Sequence, residues 1–292
     1  MHPDQIARVR DFNRFYTQRL GVLTDDYLGR DRPLGQARLL FEIGAGCDVR
    51  DLRERLGLDS GYLSRMLRAL ADQQLITVRA HPRDGRVRVA ELTAAGHRER
   101  AELDRLSDAG IAALLDNLSA AQREQFLDAQ ARVRRLLRLA GVRIAAVPAD
   151  DRAARDCLRR YAAELGTRFP EGYDPATLTA PADVDGTLLL ATEDDRPAGC
   201  GLWVRHGTAA EIRHLWITPA ARGIGLGRRL LRALEDDAAG HLITTVRLGT
   251  HSALTEAIAL YRASGYHEIA DYGASKYNQI TFEKTVQSPQ SS

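Results

Sequence analysis

The hydrophobic period of this chain changes once, near residue 140, and that change constrains the fold more than any single motif does. Before it, apolar residues recur at helical spacing: Leu103, Leu106, Ile111, Leu114, Leu115 and Leu118 make one stripe, and Phe126, Val133 and Leu137 another. Ser119 with Gln122 three residues on is a capping box that starts the second helix. The strand-like part of this half is 75–92, where Ile76, Val78, Val87 and Val89 flank the turn-forming Pro82-Arg83-Asp84-Gly85. After Gly141 short β-rich runs take over, at 142–147, 187–191, 199–204, 211–217 and 243–248, separated by helical stretches. The 292 residues are enough for two domains of ~100–150 residues. We therefore expect one domain over 1–140, a second over 141–286, and a disordered polar tail at 287–292.

Composition narrows the class. With 44% apolar and 27% charged residues the chain reads as soluble and globular, and no apolar run approaches the ~18–20 residues of a membrane span. The start, residues 1–13, lacks the apolar core of a signal peptide, so a cytoplasmic protein without a membrane partner is expected. Cys47, Cys157 and Cys200 are far apart with no metal-ligand spacing; they read as small buried thiols, and no metal is expected. Charge is divided unevenly. Residues 1–140 hold 24 Arg and no Lys against 20 acidic residues; the rest holds 17 basic residues, including Lys276 and Lys284, against 19 acidic ones. Two halves of opposite charge point to two different partners.

In the first half the placement of arginine matters more than its number. A helix over 49–56 ends at Gly57, which enters the left-handed region cheaply. Asp59 or Ser60 then caps a helix over 61–73 whose Leu63, Met66, Leu67 and Leu70 form an apolar face. Its other face carries Ser60, Tyr62, Ser64, Arg65 and Arg68 near the helix start, where hydroxyls reach phosphates and Arg reaches guanine edges in a major groove. The hairpin that follows carries Arg79, Arg83, Arg86 and Arg88, suited to phosphates or a narrow minor groove. Each arginine alone is an ordinary surface charge; the order helix, glycine, helix, basic hairpin is far more specific.

That order resembles the winged helix-turn-helix of MarR-family transcriptional regulators. The match is sharpest at His81-Pro82-Arg83-Asp84-Gly85-Arg86, followed by Leu92-Thr93-Ala94-Ala95-Gly96, the family's wing signature with His81 in place of its first Asp. Asp84, the acid better placed to hold an arginine, is kept. The resemblance covers roughly 5–138 and implies a mainly-α DNA-binding domain. It also implies a homodimer, built by the long flanking helices, on a pseudo-palindromic double-stranded DNA operator.

The strongest local motif of the second half is Ile217-Thr218-Pro219-Ala220-Ala221-Arg222-Gly223-Ile224-Gly225-Leu226-Gly227-Arg228. A strand enters a glycine-rich turn that opens a helix, so backbone N–H groups and the helix dipole converge on one spot suited to a pyrophosphate. A dinucleotide-binding fold has a similar loop, but places it after its first strand and an acid after its second; this chain does neither. Downstream, Leu260-Tyr261-Arg262-Ala263-Ser264-Gly265-Tyr266 closes a second helix. The pair of motifs resembles the GNAT superfamily of N-acetyltransferases over about 142–285, which implies an α+β domain with a mixed, mostly antiparallel sheet.

The resemblance carries roles. Acetyl-CoA is the implied cosubstrate, its pyrophosphate held by Arg222, Gly223, Ile224, Gly225, Leu226, Gly227 and Arg228, and its pantetheine arm by Leu215, Trp216 and Ile217. Tyr261 is implied as the acid that protonates the leaving thiolate, and Glu211 as the base for a small-molecule amine acceptor. Many members carry a CoA-contacting Asn before the second helix; here Thr250, His251 or Ser252 stands there instead. The acceptor stays open between a cationic amine met by Glu171, Asp174 or Asp271 and an amino-acid carboxylate met by Arg168 or Lys276. The expected function is a regulator that is also an N-acetyltransferase; the alternative is a DNA-binding regulator that senses acetyl-CoA without catalysis.

Overall fold

The computed structural model describes residues 2–19, 27–81, 83–272 and 275–287; most of the expected disordered tail, 288–292, lies outside them. The chain divides into two compact units, Met1–Glu124 and Gln125–Ser292.

The first unit is helical apart from one small sheet. Helices α1 (Pro3–Arg19), α2 (Leu34–Ile43), α3 (Val49–Leu56) and α4 (Ser60–Asp72) precede the hairpin β2 (Ile76–His81) and β3 (Asp84–Leu92). A two-residue strand, β1 (Cys47–Asp48), adds to β3, giving the antiparallel order β1-β3-β2. The caps anticipated from the sequence are in place. Asp59 accepts from the Tyr62 amide at the start of α4, and Gly57, with φ 61°, ends α3 in the left-handed region. Leu63, Met66, Leu67 and Leu70 of α4 are buried with Leu39, Leu40 and Leu52, which leaves the polar face of α4 outward. The long helix α5 (Ala94–Asp116) follows, and α6 (Ala120–Gly141) starts in this unit and continues into the second, which begins at Gln125. Ser119 and Gln122 exchange the reciprocal capping bonds at the start of α6, at 2.9 and 3.3 Å.

The second unit is a seven-stranded sheet flanked by helices. Its strands are β4 (Arg143–Val147), β5 (Gly186–Glu193), β6 (Arg196–His206), β7 (Ala209–Ile217), β8 (Thr245–Thr250), β9 (His267–Ile269) and β10 (Ile280–Thr285), ordered β4-β5-β6-β7-β8-β10-β9. Every neighbouring pair is antiparallel except β7 with β8, so the sheet is mixed and mostly antiparallel as expected. Helix α7 (Arg152–Arg168) packs with Leu188, Leu202 and Val204, while α8 (Leu226–Gly240) and α9 (Thr255–Ala263) pack with Trp203, Val246 and Phe282. Cys157 and Cys200 are buried; Cys47 is only half-buried. Among the described residues no helix is long and apolar enough to cross a membrane.

Candidate active site and nucleic-acid interface

The site of the second unit begins with a flaw in its sheet. Strands β7 and β8 are in parallel register over Ala210–Val246, Glu211–Arg247 and Ile212–Leu248, and no further, although β7 runs on to Ile217 and β8 to Thr250. A β-bulge sits just past that point. The β6–β7 register slips between Cys200 and Leu202, opposite His214, whose φ is 56°. Gly201 permits it: a Cβ there would lie 3.2 Å from Leu215 Cδ1 and 3.0 Å from Leu234 Cδ1. Where the strands part, a cavity of about 500 Å³ opens.

Glu211 and Tyr261, separated by 50 positions in sequence, both line this cavity. The Glu211 side chain is 7% exposed, and Arg213 Nη2 lies 2.6 Å from its Oε2. Tyr261, on α9, packs its ring against Tyr266 and Phe282 at centroid distances of 6.0 and 5.8 Å. Burial raises its phenol pKa well above the usual value, so the hydroxyl stays protonated. Leu215 lines the cavity as well. Trp216 points to the opposite face of β7, as strand alternation requires, and its Nε1–H donates to Glu164 at 2.8 Å. The Ile217 carbonyl accepts from Arg222 Nε at 3.0 Å.

The same strand leads into the glycine-rich turn. Gly223 and Gly225 have φ of 75° and 94°, values a side chain resists. Gly225 is the N-cap of α8 and provides no side-chain cap. Among the described residues the amides from Gly223 through Arg228 find no internal acceptor. Unpaired amides at the start of a 15-residue helix, with the Arg228 side chain exposed beside them, fit a diphosphate. Arg222 differs from the expectation in one respect: besides its bond to the Ile217 carbonyl, its guanidinium is bound to Glu164 at 2.5 Å.

Other cavity-lining groups were less legible. Tyr161 and Leu165 of α7, with Phe169 just beyond it, line the cavity, yet their four-residue spacing reads as an ordinary helical core stripe. His214 also lines it. Its Nε2 accepts the Thr179 N–H at 3.0 Å, and burial, with Arg213 and Arg155 nearby, lowers its pKa to about 3. Of the residues standing where the usual Asn would be, His251 is bonded to Glu171 at 3.0 Å and Ser252 to Gln279, while Thr250 is buried.

In the first unit, Ser60, Tyr62, Ser64, Arg65 and Arg68 lie exposed on the start and outer face of α4, and Arg83, Arg86 and Arg88 lie exposed on the hairpin. Among the described residues none of these five arginines is in an ion pair, whereas Arg38, Arg50 and Arg55 of the same unit pair with Glu42 or Glu54. The Arg65 guanidinium lies 5.9 Å from the Tyr62 ring centre. At the hairpin tip His81 Nδ1 accepts the Arg83 amide at 3.2 Å and Asp84 accepts the Arg86 amide at 3.0 Å. His81 thus supplies an acceptor where the wing signature has a carboxylate, and Asp84 holds Arg86 by its backbone.

Comparison with known proteins fits this geometry. The sequence model of the acetyltransferase (GNAT) family matches residues 153–266, and that of the MarR family matches residues 35–87. An IAA acetyltransferase from Azospirillum brasilense is 32% identical over 119 residues, 40% of this chain and 76% of that protein. The chain belongs to the GNAT acetyltransferase family. Ahead of its GNAT domain it carries a MarR-family domain. A mycothiol acetyltransferase from Clavibacter sepedonicus is 42% identical over 90 residues, 30% of this chain and 29% of that protein. The solved PcaV transcriptional regulator of Streptomyces coelicolor aligns over 46% of this chain and 96% of its own, at 24% identity and a TM-score of 0.37. The GNAT match runs from α7 to Tyr266 and includes Glu211, the glycine turn and Tyr261; the MarR match runs from α2 into β3.

Proposed function

We propose that the chain is a cytoplasmic, homodimeric MarR-type regulator of a pseudo-palindromic operator, fused to an acetyl-CoA-dependent N-acetyltransferase for a small amine or amino-acid-like acceptor. In this reading residues 1–140 bind DNA and dimerise and 141–286 carry the chemistry. The observation that carries the enzymatic part is the convergence on one cavity of Tyr261, from α9, and Glu211, from the strand that leads into a turn of unpaired amides. The amides of Gly223–Arg228 and the Arg228 side chain would hold the pyrophosphate, and Leu215, Trp216 and Ile217 the pantetheine arm. Bound acetyl-CoA supplies the acyl group: a C–N bond forms and the C–S bond breaks. Of the two protons an ammonium must lose, one goes to solvent and the other ends on the thiol. Glu211 takes the first, since a protonated amine has no lone pair to attack with. Tyr261, held protonated by its burial, relays the second to the departing sulfur. Thiol release with acetyl-CoA and a panel of amines tests this. It should be lost in Tyr261→Phe and Glu211→Gln, and no release with any amine overturns it.

Unpartnered apolar surface supports the homodimer. On α1 Val9 and Phe15, and on α6 Leu136 and Leu137, are each at least 60% exposed, apolar side chains that a second copy would cover. Monomeric mass by light scattering at micromolar concentration would count against it.

A second reading, a sensor that binds acetyl-CoA without catalysis, is favoured by the last turn of α6. Arg138 makes two 2.6 Å bonds to Glu193 and one of 3.0 Å to the Ala220 carbonyl, and Arg229 donates to the Leu139 carbonyl. Within the second unit, α6 therefore ends against the end of β5 and the residues that flank the glycine turn. Under this reading calorimetry detects CoA binding that shifts operator affinity, with no thiol release.

A further inference from the structure

The acceptor side of the cavity holds more information than the family assignment does. The sequence offers two opposite sets of charges for the acceptor, and the structure separates them. Arg168 is committed to Glu256, Glu164 and the Ala253 carbonyl, and Glu171 to His251. Asp174 caps the turn that follows it by accepting the Ala176 amide. Neither these residues nor Asp271 lines the cavity, whereas Lys276 does. Among the described residues no carboxylate is ion-paired with Lys276, although Glu171 feels its charge. The carboxylate on the wall, Glu211, is already matched by Arg213. The wall therefore has one cation beyond its own acids.

Beside that charge the wall is aromatic, and the Lys276 ammonium itself lies 4.9 Å from the Tyr277 ring centre. Tyr173 and Tyr277 are 4.8 Å apart by ring centroid, Phe169 and Tyr277 5.7 Å, and Tyr161 and Tyr173 6.2 Å. The cluster is fixed by its neighbours: His251, itself on the cavity wall, stacks on Phe169 at 4.0 Å, and the Tyr277 hydroxyl accepts the Asp174 amide at 2.9 Å. Rings locked in this way present faces and edges to a flat guest without losing rotamer freedom when it arrives.

We propose that the acceptor is an α-amino acid with an aromatic side chain, its carboxylate met by Lys276, its ring by Tyr161, Phe169, Tyr173 and Tyr277, and its amine turned toward Glu211. The proposal rests on the acetyltransferase reading. The product is the N-acetyl amino acid and free CoA, with the proton accounting given above unchanged.

The test uses the full chain, with phenylalanine and tryptophan compared against phenethylamine and tryptamine, which differ by the carboxylate alone, and against alanine, which lacks the ring. Thiol release should favour the aromatic amino acids over the matched amines by at least about tenfold in kcat/KM, the size of one charged contact. Lys276→Met should collapse that ratio toward one, and Lys276→Arg should keep most of it. Calorimetry without acetyl-CoA should show phenylalanine binding to the wild type and about tenfold weaker binding to Lys276→Met. Turnover of amines with no carboxylate preference, or a ratio indifferent to Lys276→Met, overturns the proposal and leaves the acetyltransferase reading standing. Thiol release absent with every acceptor overturns both.

Discussion

A histidine that accepts a backbone N–H through Nε2 while losing its hydration cannot easily take a second proton, and His214 is in that position. The sign of the consequence is fixed by linkage. The folded pKa of about 3 lies below the unfolded value of ~6.5, so acid adds a proton to the unfolded chain first. Its contribution to stability is therefore complete above pH ~6.5 and drains away at up to about 1.4 kcal/mol per pH unit down to about pH 3. Denaturant melts from pH 3.5 to 7 should show a shallower acid limb in His214→Gln than in the wild type. Tyr261→Phe makes the complementary case. It removes one hydroxyl from a packed ring, so kcat should fall by about 100-fold or more while Tm moves by about two degrees or less. Both residues differ in how visible they were. Tyr261 sits in a motif, and Glu211 on the strand that enters another, so sequence offers both as candidates, and both line one cavity. Nothing marks Tyr161, a ring on the buried face of a helix, or Glu164, which joins Trp216 to Arg222.

Elements were read best where a local rule decides them. The capping box at Ser119, the cap at Asp59, the stop at Gly57 and the hairpin around residue 83 each depend on a few adjacent residues. Strand β10 was not legible, because its place between β8 and β9 comes from pairing partners far away in sequence. The strand expected over 243–248 starts instead at Thr245. Leu242 turns left-handed at φ 63°, and the Ile243 amide is spent on the Ala238 carbonyl. Gly96 closes the wing signature for a reason visible only in three dimensions: a Cβ there would lie 2.0 Å from the Leu75 carbonyl oxygen. Gly96→Ala should cost the MarR unit about 1–3 kcal/mol of stability, measured by denaturant melts followed through hydrogen exchange at α4. Gly225→Val, at φ 94°, should weaken acetyl-CoA binding in calorimetry by about tenfold or more. Its Cβ meets open space apart from Leu139 Cδ2 at 3.5 Å, so strain in the turn is the cause.

For the whole molecule, the basic balance of the first half matters through where its arginines stand. Among the described residues Arg65, Arg68, Arg83, Arg86 and Arg88 are exposed and in no ion pair; others such as Arg8 and Arg53 share that state, so it is their place on α4 and the hairpin that marks them. Arg65→Ala with Arg86→Ala should therefore weaken DNA binding and lower the slope of log affinity against log salt by roughly two. An unchanged slope in fluorescence anisotropy would exclude this surface. Leu136→Glu with Leu137→Glu should shift light-scattering mass from dimer to monomer. The seam between β7 and β8 has a mechanical consequence. Three registered pairs join them, against six between β8 and β10, so the sheet is two plates held by a short weld. A guest in the cavity touches both plates and works as a splint. Occupancy should then raise Tm and slow amide exchange along Ala210–Ile212, which would let the weld itself report on what the cavity holds.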